Sequence, residues 1–408
     1  MSALPTMQGI TLSDDQLSAL ECVESQLSNG DEAVLVGPAG TGKTTIMRQF
    51  LSSQSSPVRL MAPTGKASLR LSQTTGREAR TVHSYLYGCV EEVATRNKDG
   101  TEATQLVFGN PHPPVKPGGL AVVDEASMIG SELYAEFMKQ LRSVDGRVLW
   151  VGDKAQLEPV GDTWGPDLDA PTAELTQVHR QALESPVLEL ATLTRLGRAQ
   201  EFSRWGAEVA YEMQTPIEQA MRWAAEEHDR VVLTWTNRVR HSANATARKV
   251  RGFSQPLVAG DKLLVRKNNW NLGVVNGEVL EVEQVAEPGP VDNAYLSQAM
   301  QNPRAVATTC GRSFYVDAAR LGQLTPEQTA AARRRYARSH LPQRIADFVV
   351  QAEYGYCLTT HASQGSQWSG VRFLVCPSLT RSRDDSSKQR LMYTAITRAS
   401  EQFIYHVL

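Results

Sequence analysis

The stretch "VLVGPAGTGKTT", residues 34–45, decides how the rest of the chain is read. Val34 to Val36 are an apolar run of strand type, Gly37 to Gly42 a glycine-rich turn, and Thr44 opens a helix, which is the context the pattern G-x-x-x-x-G-K-[ST] needs. In that context the backbone N–H groups of Gly37, Gly40, Thr41, Gly42 and Thr45 curl around phosphate oxygens at a helix N-terminus, and Lys43 neutralises the β and γ phosphates. The Thr44 hydroxyl is placed to hold Mg²⁺. A strand that delivers such a loop belongs to a parallel α/β sheet with its ligand at the carboxyl ends of the strands.

Two further strands converge on that end. "GGLAVVDEASM", residues 118–128, ends an apolar run in Asp124 and Glu125. Asp124 is a candidate to hold the metal, and Glu125 to activate an attacking water. "RVLWVGDKAQLEPV", residues 147–160, places Gln156 where it can touch both the γ-phosphate and that water. Upstream, "TLSDDQLSAL" presents Ser13 as a helix N-cap with Gln16 at the third helical position. A capping box and an adenine contact explain Gln16 equally well.

At 408 residues the chain exceeds what one core usually organises, so two core domains with smaller inserts are expected. The composition, 41% apolar and 21% charged, is that of an ordinary globular protein. No apolar run approaches the roughly 20 residues of a membrane span. No Lys or Arg precedes Lys43, which argues against a signal or transit peptide, so a cytoplasmic protein of a bacterial or phage-infected cell is expected. Five scattered cysteines without a C-x-x-C pair suggest neither disulfides nor zinc. The net charge of −2 gives no global case for nucleic acid, so any such site must be local.

The second half repeats an α/β pattern without a second phosphate loop. "DRVVLTWTNRVRHSANATARKV" (229–250), "YGYCLTTHASQGSQW" (354–368) and "VRFLVCPSL" (371–379) supply strands, and "QRLMYTAITRAS" (389–400) a helix before a last strand at Phe403 to Val407. Arg180 in "LTQVHRQ" and Arg398 in "TAITRAS" are candidates to reach the γ-phosphate across a cleft, since arginine fingers contribute on the order of 10³ to 10⁵ in rate elsewhere.

Taken in order, "GPAGTGKT", "APTGKAS", "TVHSYL", "VVDEASM", "GDKAQLEPV", "LTQVHRQ", "TWTNRVR", "LTTHASQG" and "YTAITRA" resemble the motif series of superfamily 1 helicases. The resemblance runs from Gln16 to Arg398 and is nearest to the 5′-to-3′ branch, the RecD and Dda type, with Dda-like phage helicases similar in length. It implies two RecA-like P-loop domains with ATP and Mg²⁺ between them: domain 1A at 1–175, and domain 2A at 176–251 and 346–408. It implies a β-hairpin pin within 84–118 and an SH3-like β insert with a helical extension at 252–345. Gln16 falls on the family's adenine-contacting glutamine, and Arg180 and Arg398 on its finger arginines. The sequence departs from many relatives at Ala362, where a lysine often follows the histidine of that motif.

For single-stranded DNA and duplex junctions, the expected contacts are Thr64, Gly65, Lys66 and His83 on the first domain and Thr236, Asn237, Thr360 and His361 on the second. Small hydroxyls, amides and backbone N–H groups hold phosphates without reading bases. Phe108 stands where Dda-type proteins carry a pin aromatic. Trp270 and Trp368 can stack bases or pack internally. Arg333 to Arg335 form either a DNA stripe or a solvated helix face. The expected activity is ATP-driven 5′-to-3′ translocation on DNA with unwinding; the alternatives are an RNA helicase, a translocase that does not unwind, and an ATP-dependent switch. Monomeric function is expected, with a single-strand-binding, replication or recombination protein as further partner and no membrane.

Overall fold

The computed structural model describes all residues except 1–11, 55–56, 89, 97–101, 109–111, 160, 179–183, 228, 270–271, 323–340, 342–344, 346 and 382–383. For 90–96, 102–108, 378 and 380 it describes the backbone only. Arg180, Trp270 and Arg333 to Arg335 therefore lie outside the described residues.

The first lobe is built on a six-stranded parallel sheet, in spatial order Ala79–Thr81, Val58–Ala62, Leu120–Val123, Arg147–Gly152, Glu32–Val36 and Ala173–Glu174. Its inner strands are covered on both faces, which is why they read as continuous apolar runs rather than alternating ones. Leu35, Leu60, Val122 and Leu149 face a core with Leu20, Val23 and Phe50, while Val34, Val36, Val123 and Trp150 face another with Phe137 and Leu141.

The second lobe carries a five-stranded parallel sheet in the order Cys357–Thr359, Arg230–Thr234, Trp368–Val375, Ala399–Val407 and Val209–Glu212. The helices Pro186–Arg195 and Asp385–Ile396 cover one face, and Ile217–Glu226 and Asn237–Val250 the other. This is the expected fold class, two RecA-like α/β units with parallel sheets.

An antiparallel sheet in the order Ser313–Asp317, Pro303–Thr308, Val279–Ala286, Lys262–Val265 and Ala352–Tyr354 sits on the second lobe and shares its core. The strand Ala352–Tyr354 pairs here with Lys262–Val265, so this sheet extends past the boundary expected at residue 345. Asp261 explains the tight join. It is wholly buried and accepts from Arg248 Nε (2.9 Å) on the Asn237–Val250 helix and from the Tyr356 hydroxyl (2.7 Å).

Strands Val90–Arg96 and Glu102–Phe108 pair as an antiparallel hairpin from Val90 opposite Phe108 to Arg96 opposite Glu102. In this register Phe108, opposite Val90, lies at the root of the hairpin, next to the first lobe, and the Arg96–Glu102 pair is the end of the ladder away from it.

Candidate nucleotide cleft and strand surface

The phosphate loop is shaped by its glycines. Gly40 and Gly42 have φ of 83° and 80°, a left-handed region that only glycine enters freely. Gly37 is needed for a different reason: a Cβ there would lie 2.8 Å from Thr41 Oγ1 and 2.9 Å from Leu175 Cβ. The Thr41 hydroxyl is buried and donates to Pro38 O (2.9 Å). Lys43 Nζ donates to the carbonyls of Gly37 (2.5 Å) and Pro38 (3.1 Å), so its ammonium stands over the loop. Lys43 opens the helix that follows, with Thr44 exposed and Thr45 half-buried in its first turn.

Of the two readings of Gln16, the capping box is observed. Its Oε1 accepts from Ser13 N (3.1 Å) while Ser13 Oγ accepts from Gln16 N, so the capping box is formed. Its Nε2 donates to Thr41 O (3.1 Å), which ties the first helix to the phosphate loop. One buried amide thus caps its own helix and steadies the loop.

Asp124 and Glu125 follow the Leu120–Val123 strand. Burial, and then the neighbouring charge of Glu125, push the Asp124 carboxyl up to about 6. Glu125 has φ 54°, a strained conformation for a residue with a side chain, of the kind retained where geometry serves a site. Gln156 is buried, and its Oε1 has no hydrogen-bond partner among the described residues. A buried amide oxygen left in this state suits a ligand or water in the cleft. Among the described residues no group of three or more His, Cys, Asp or Glu side chains is placed to hold a metal. One hydroxyl and one carboxylate, Thr44 and Asp124, suit Mg²⁺, which typically takes few protein ligands and the rest from phosphates and water.

The second lobe reaches this cleft through the helix Asp385–Ile396 and the residues just after it. Arg398 is 4% exposed; its Nε donates to Thr394 O (3.1 Å), Nη1 to Ser366 O (3.2 Å) and Nη2 to Thr397 Oγ1 (3.2 Å). Burial lowers its pKa, opposed first by the charge of Glu125 on the other lobe. Three side chains of the same helix, not singled out in the sequence, grip the Gln156 loop. Arg390 Nη1 donates to the carbonyls of Lys154 and Gln156, Thr394 Oγ1 accepts from Leu157 N (3.1 Å), and the Tyr393 hydroxyl donates to Asp153 Oδ2 (2.6 Å). Their spacing in "QRLMYTAITRAS" puts them on one helical face, the one signal that could have revealed them.

The expected strand contacts divide. Thr64 and Thr236 cap helices, accepting from Ala67 N (3.2 Å) and Val239 N (3.3 Å). Asn237 is exposed, its Oδ1 accepting from Arg240 Nε (3.1 Å). Gly65 is buried where a Cβ would meet Val275 Cβ at 2.5 Å, so it allows the antiparallel sheet to approach the first lobe. Thr360 is fully buried, and its hydroxyl donates to Thr234 O (3.4 Å), so its side chain is turned away from solvent. His83 and His361 are half-buried, and desolvation lowers the pKa of each. Lys66 stands 4.7 Å over the Trp368 ring, across the lobes, which assigns Trp368 an interface role. No described helix is long and apolar enough to cross a membrane.

Comparison with known proteins agrees with this geometry. Residues 11–210 match the AAA domain family and residues 354–404 the UvrD-like helicase C-terminal domain family. The ATP-dependent RecD2 DNA helicase of Deinococcus radiodurans is 30% identical over 429 aligned positions, covering 98% of this chain and 50% of that protein. The ATP-dependent DNA helicase dda of Enterobacteria phage T4 is 28% identical over 200, covering 46% of this chain and 43% of its own. The chain thus spans half or less of these curated relatives. A crystal structure of Bacteroides Pif1 bound to ssDNA superposes with a TM-score of 0.53 at 14% identity, covering 97% of this chain and 92% of that one, which shows the same fold. The chain belongs to superfamily 1 of the P-loop helicases, with RecD2 and Dda among its relatives.

Proposed function

We propose that this chain is an ATP-driven motor that moves 5′ to 3′ along single-stranded DNA and separates duplex ahead of it. The observation that carries the reading is a nucleotide centre divided between lobes: a phosphate loop with Glu125 on one side, and on the other the helix of Tyr393 and Thr394, hydrogen-bonded to that loop and to the Asp153–Leu157 turn and followed by buried Arg398. Names of relatives that include ATP-dependent DNA helicases support the substrate.

In this mechanism Lys43 neutralises phosphate charge, and Thr44 with Asp124 would hold Mg²⁺, which supplies further charge neutralisation when bound. Glu125 takes the proton of the attacking water, and Gln156 orients that water. Arg398, with Arg180 as its expected companion, stabilises charge on the transferred phosphate. Hydrolysis removes the anion that both lobes share, so the lobes part and reclose one step along the strand. Thr64, Lys66, His83, Thr236, Asn237 and His361 rim the path of the strand and grip its phosphates without reading sequence, as a motor on arbitrary DNA requires. The hairpin acts as the separating pin and the antiparallel sheet as the SH3-like insert beside the strand. The protein works in the cytoplasm as a monomer, alongside a single-strand-binding or recombination protein.

The test is unwinding of matched duplexes with a 5′ or a 3′ single-stranded tail, in DNA and in RNA, with Glu125→Gln as control. Only the 5′-tailed DNA should open, and Glu125→Gln should bind ATP without turnover. Opening of the 3′-tailed duplex, or ATP hydrolysis stimulated by RNA alone, would replace this reading.

A further inference from the structure

Tyr393 belongs to the second lobe, yet its hydroxyl lies in the nucleotide site of the first. It donates to Asp153 Oδ2 (2.6 Å) and accepts from the backbone N–H of Ala39 (2.9 Å). The side chain is 1% exposed, so both bonds form away from water, where they are strongest and most costly to leave unmade. Burial and the charge of Asp153 raise the phenol pKa well above its ordinary range, so it remains a donor.

Each partner of this hydroxyl matters. Ala39 lies inside the phosphate loop, and its N–H is directed at Tyr393, so this bond sets how the loop curls between Gly37 and Gly40. Asp153 begins the turn that carries Gln156: its Oδ1 accepts from Ala155 N (3.0 Å) and its carbonyl from Gln156 N (3.1 Å). Arg398 follows five residues after Tyr393 and is hydrogen-bonded to Thr394, the next residue on the same helix. A single hydroxyl therefore joins the phosphate loop, the Gln156 turn and the element that aims the arginine.

We propose that Tyr393 is a positioning residue for ATP hydrolysis, its hydroxyl fixing the phosphate loop and the Asp153–Gln156 turn of one lobe in register with Arg398 of the other. The inference rests on reading the cleft as an ATPase site. Its physical basis is that a misplacement of about 1 Å in a reacting constellation costs on the order of a hundredfold in rate, so a tie that holds three parts at once acts on turnover more than on binding.

The experiment is steady-state, DNA-stimulated ATPase of Tyr393→Phe, Asp153→Asn and the double variant, with thermal melts and binding of a fluorescent ATP analogue. Phe fills the ring's slot and removes only the hydroxyl. The expected result is a kcat at least about tenfold lower in each single variant, with KM for ATP within about threefold of the parent. The double variant should be no slower than the worse single one, because both changes cut one linked interaction. Tyr393→Phe with a kcat within about twofold of the parent overturns the inference, as do additive losses in the double variant or a defect confined to KM. If Tyr393→Phe loses its cooperative melt, Asp153→Asn decides alone, and an unchanged kcat there overturns the proposal. A parent that binds the analogue and hydrolyses no ATP with any nucleic acid overturns the ATPase reading itself, a result distinct from an active parent with an indifferent Tyr393→Phe.

Discussion

Arg398 and Lys66 show what burial does to a cation at a shared interface. Burial lowers the pKa of the Arg398 guanidinium, with Glu125 opposing first, and the group donates three hydrogen bonds within its own lobe. Arg398→Ala should bind ATP and DNA and hydrolyse at least about a hundredfold more slowly, given the scale of finger effects; single-turnover ATPase is the measurement, and an unchanged rate would make the residue purely structural. Lys66 differs. Burial is the largest influence on its ammonium and brings the pKa down to about 8, with Arg398 and Arg70 acting the same way and Glu278 opposing. The group is charged below that value and neutral above it. If it grips a phosphate, the salt dependence of single-strand affinity should become shallower between pH 7 and 9, by up to about 0.7 in slope for one phosphate that is no longer neutralised. Lys66→Arg should keep the steeper slope at both pH values. Titrations at several salt concentrations test this, and a slope equally pH-dependent in the arginine variant would assign the effect elsewhere.

At the scale of elements, the parts legible in the sequence were those whose physics is local. The phosphate loop needs glycines at fixed spacing, and doubly covered parallel strands need unbroken apolar runs, so residues 34–45, 118–128 and 147–160 announced themselves. Gln16 was half legible, because a capping box is a four-residue pattern while its bond to Thr41 spans 25 residues. Tyr393 was legible only as one face of a helix with Arg390 and Thr394: nothing local in "YTAITRA" says that a tyrosine beside a threonine will reach Ala39 and Asp153 of the other lobe. The same holds for Ala352–Tyr354, a short strand assigned by its pairing with Lys262–Val265 and not by its own residues. The buried Asp261 is another such long-range partner. Removing it leaves Arg248 desolvated with its ion pair gone, so Asp261→Ala should destabilise by about 3 to 5 kcal/mol. Urea unfolding checks this, and a change under about 1 kcal/mol would mean that water reaches Arg248 in the folded protein.

For the whole molecule, the proposed function requires that nucleotide turnover in the cleft and strand separation at the hairpin be coupled while remaining physically distinct. The two sites are built from different material: inter-lobe hydrogen bonds hold the cleft, whereas the hairpin is a two-stranded ribbon whose root meets the first lobe. From Phe108 at the root, six residues of strand at about 3.4 Å each carry the ribbon roughly 20 Å out to Glu102. Stacking on an aromatic ring is worth roughly 1 to 3 kcal/mol per base, but only at contact distance. A fork that meets the far end of the hairpin is beyond the reach of Phe108, and a fork that meets the root is not. The register favours the far end. Replacing residues 97–101 with a short glycine-serine turn should therefore keep most DNA-stimulated ATPase and lose much of the unwinding, because steps would continue without a wedge against the base pair. Phe108→Ala should reduce both activities in proportion, together with thermal stability, as expected of a position at the root of the ribbon. Measuring ATPase and unwinding on one 5′-tailed substrate for both variants separates the cases: selective loss of unwinding in Phe108→Ala, with the turn replacement indifferent, would move the fork to the root and make that ring the wedge.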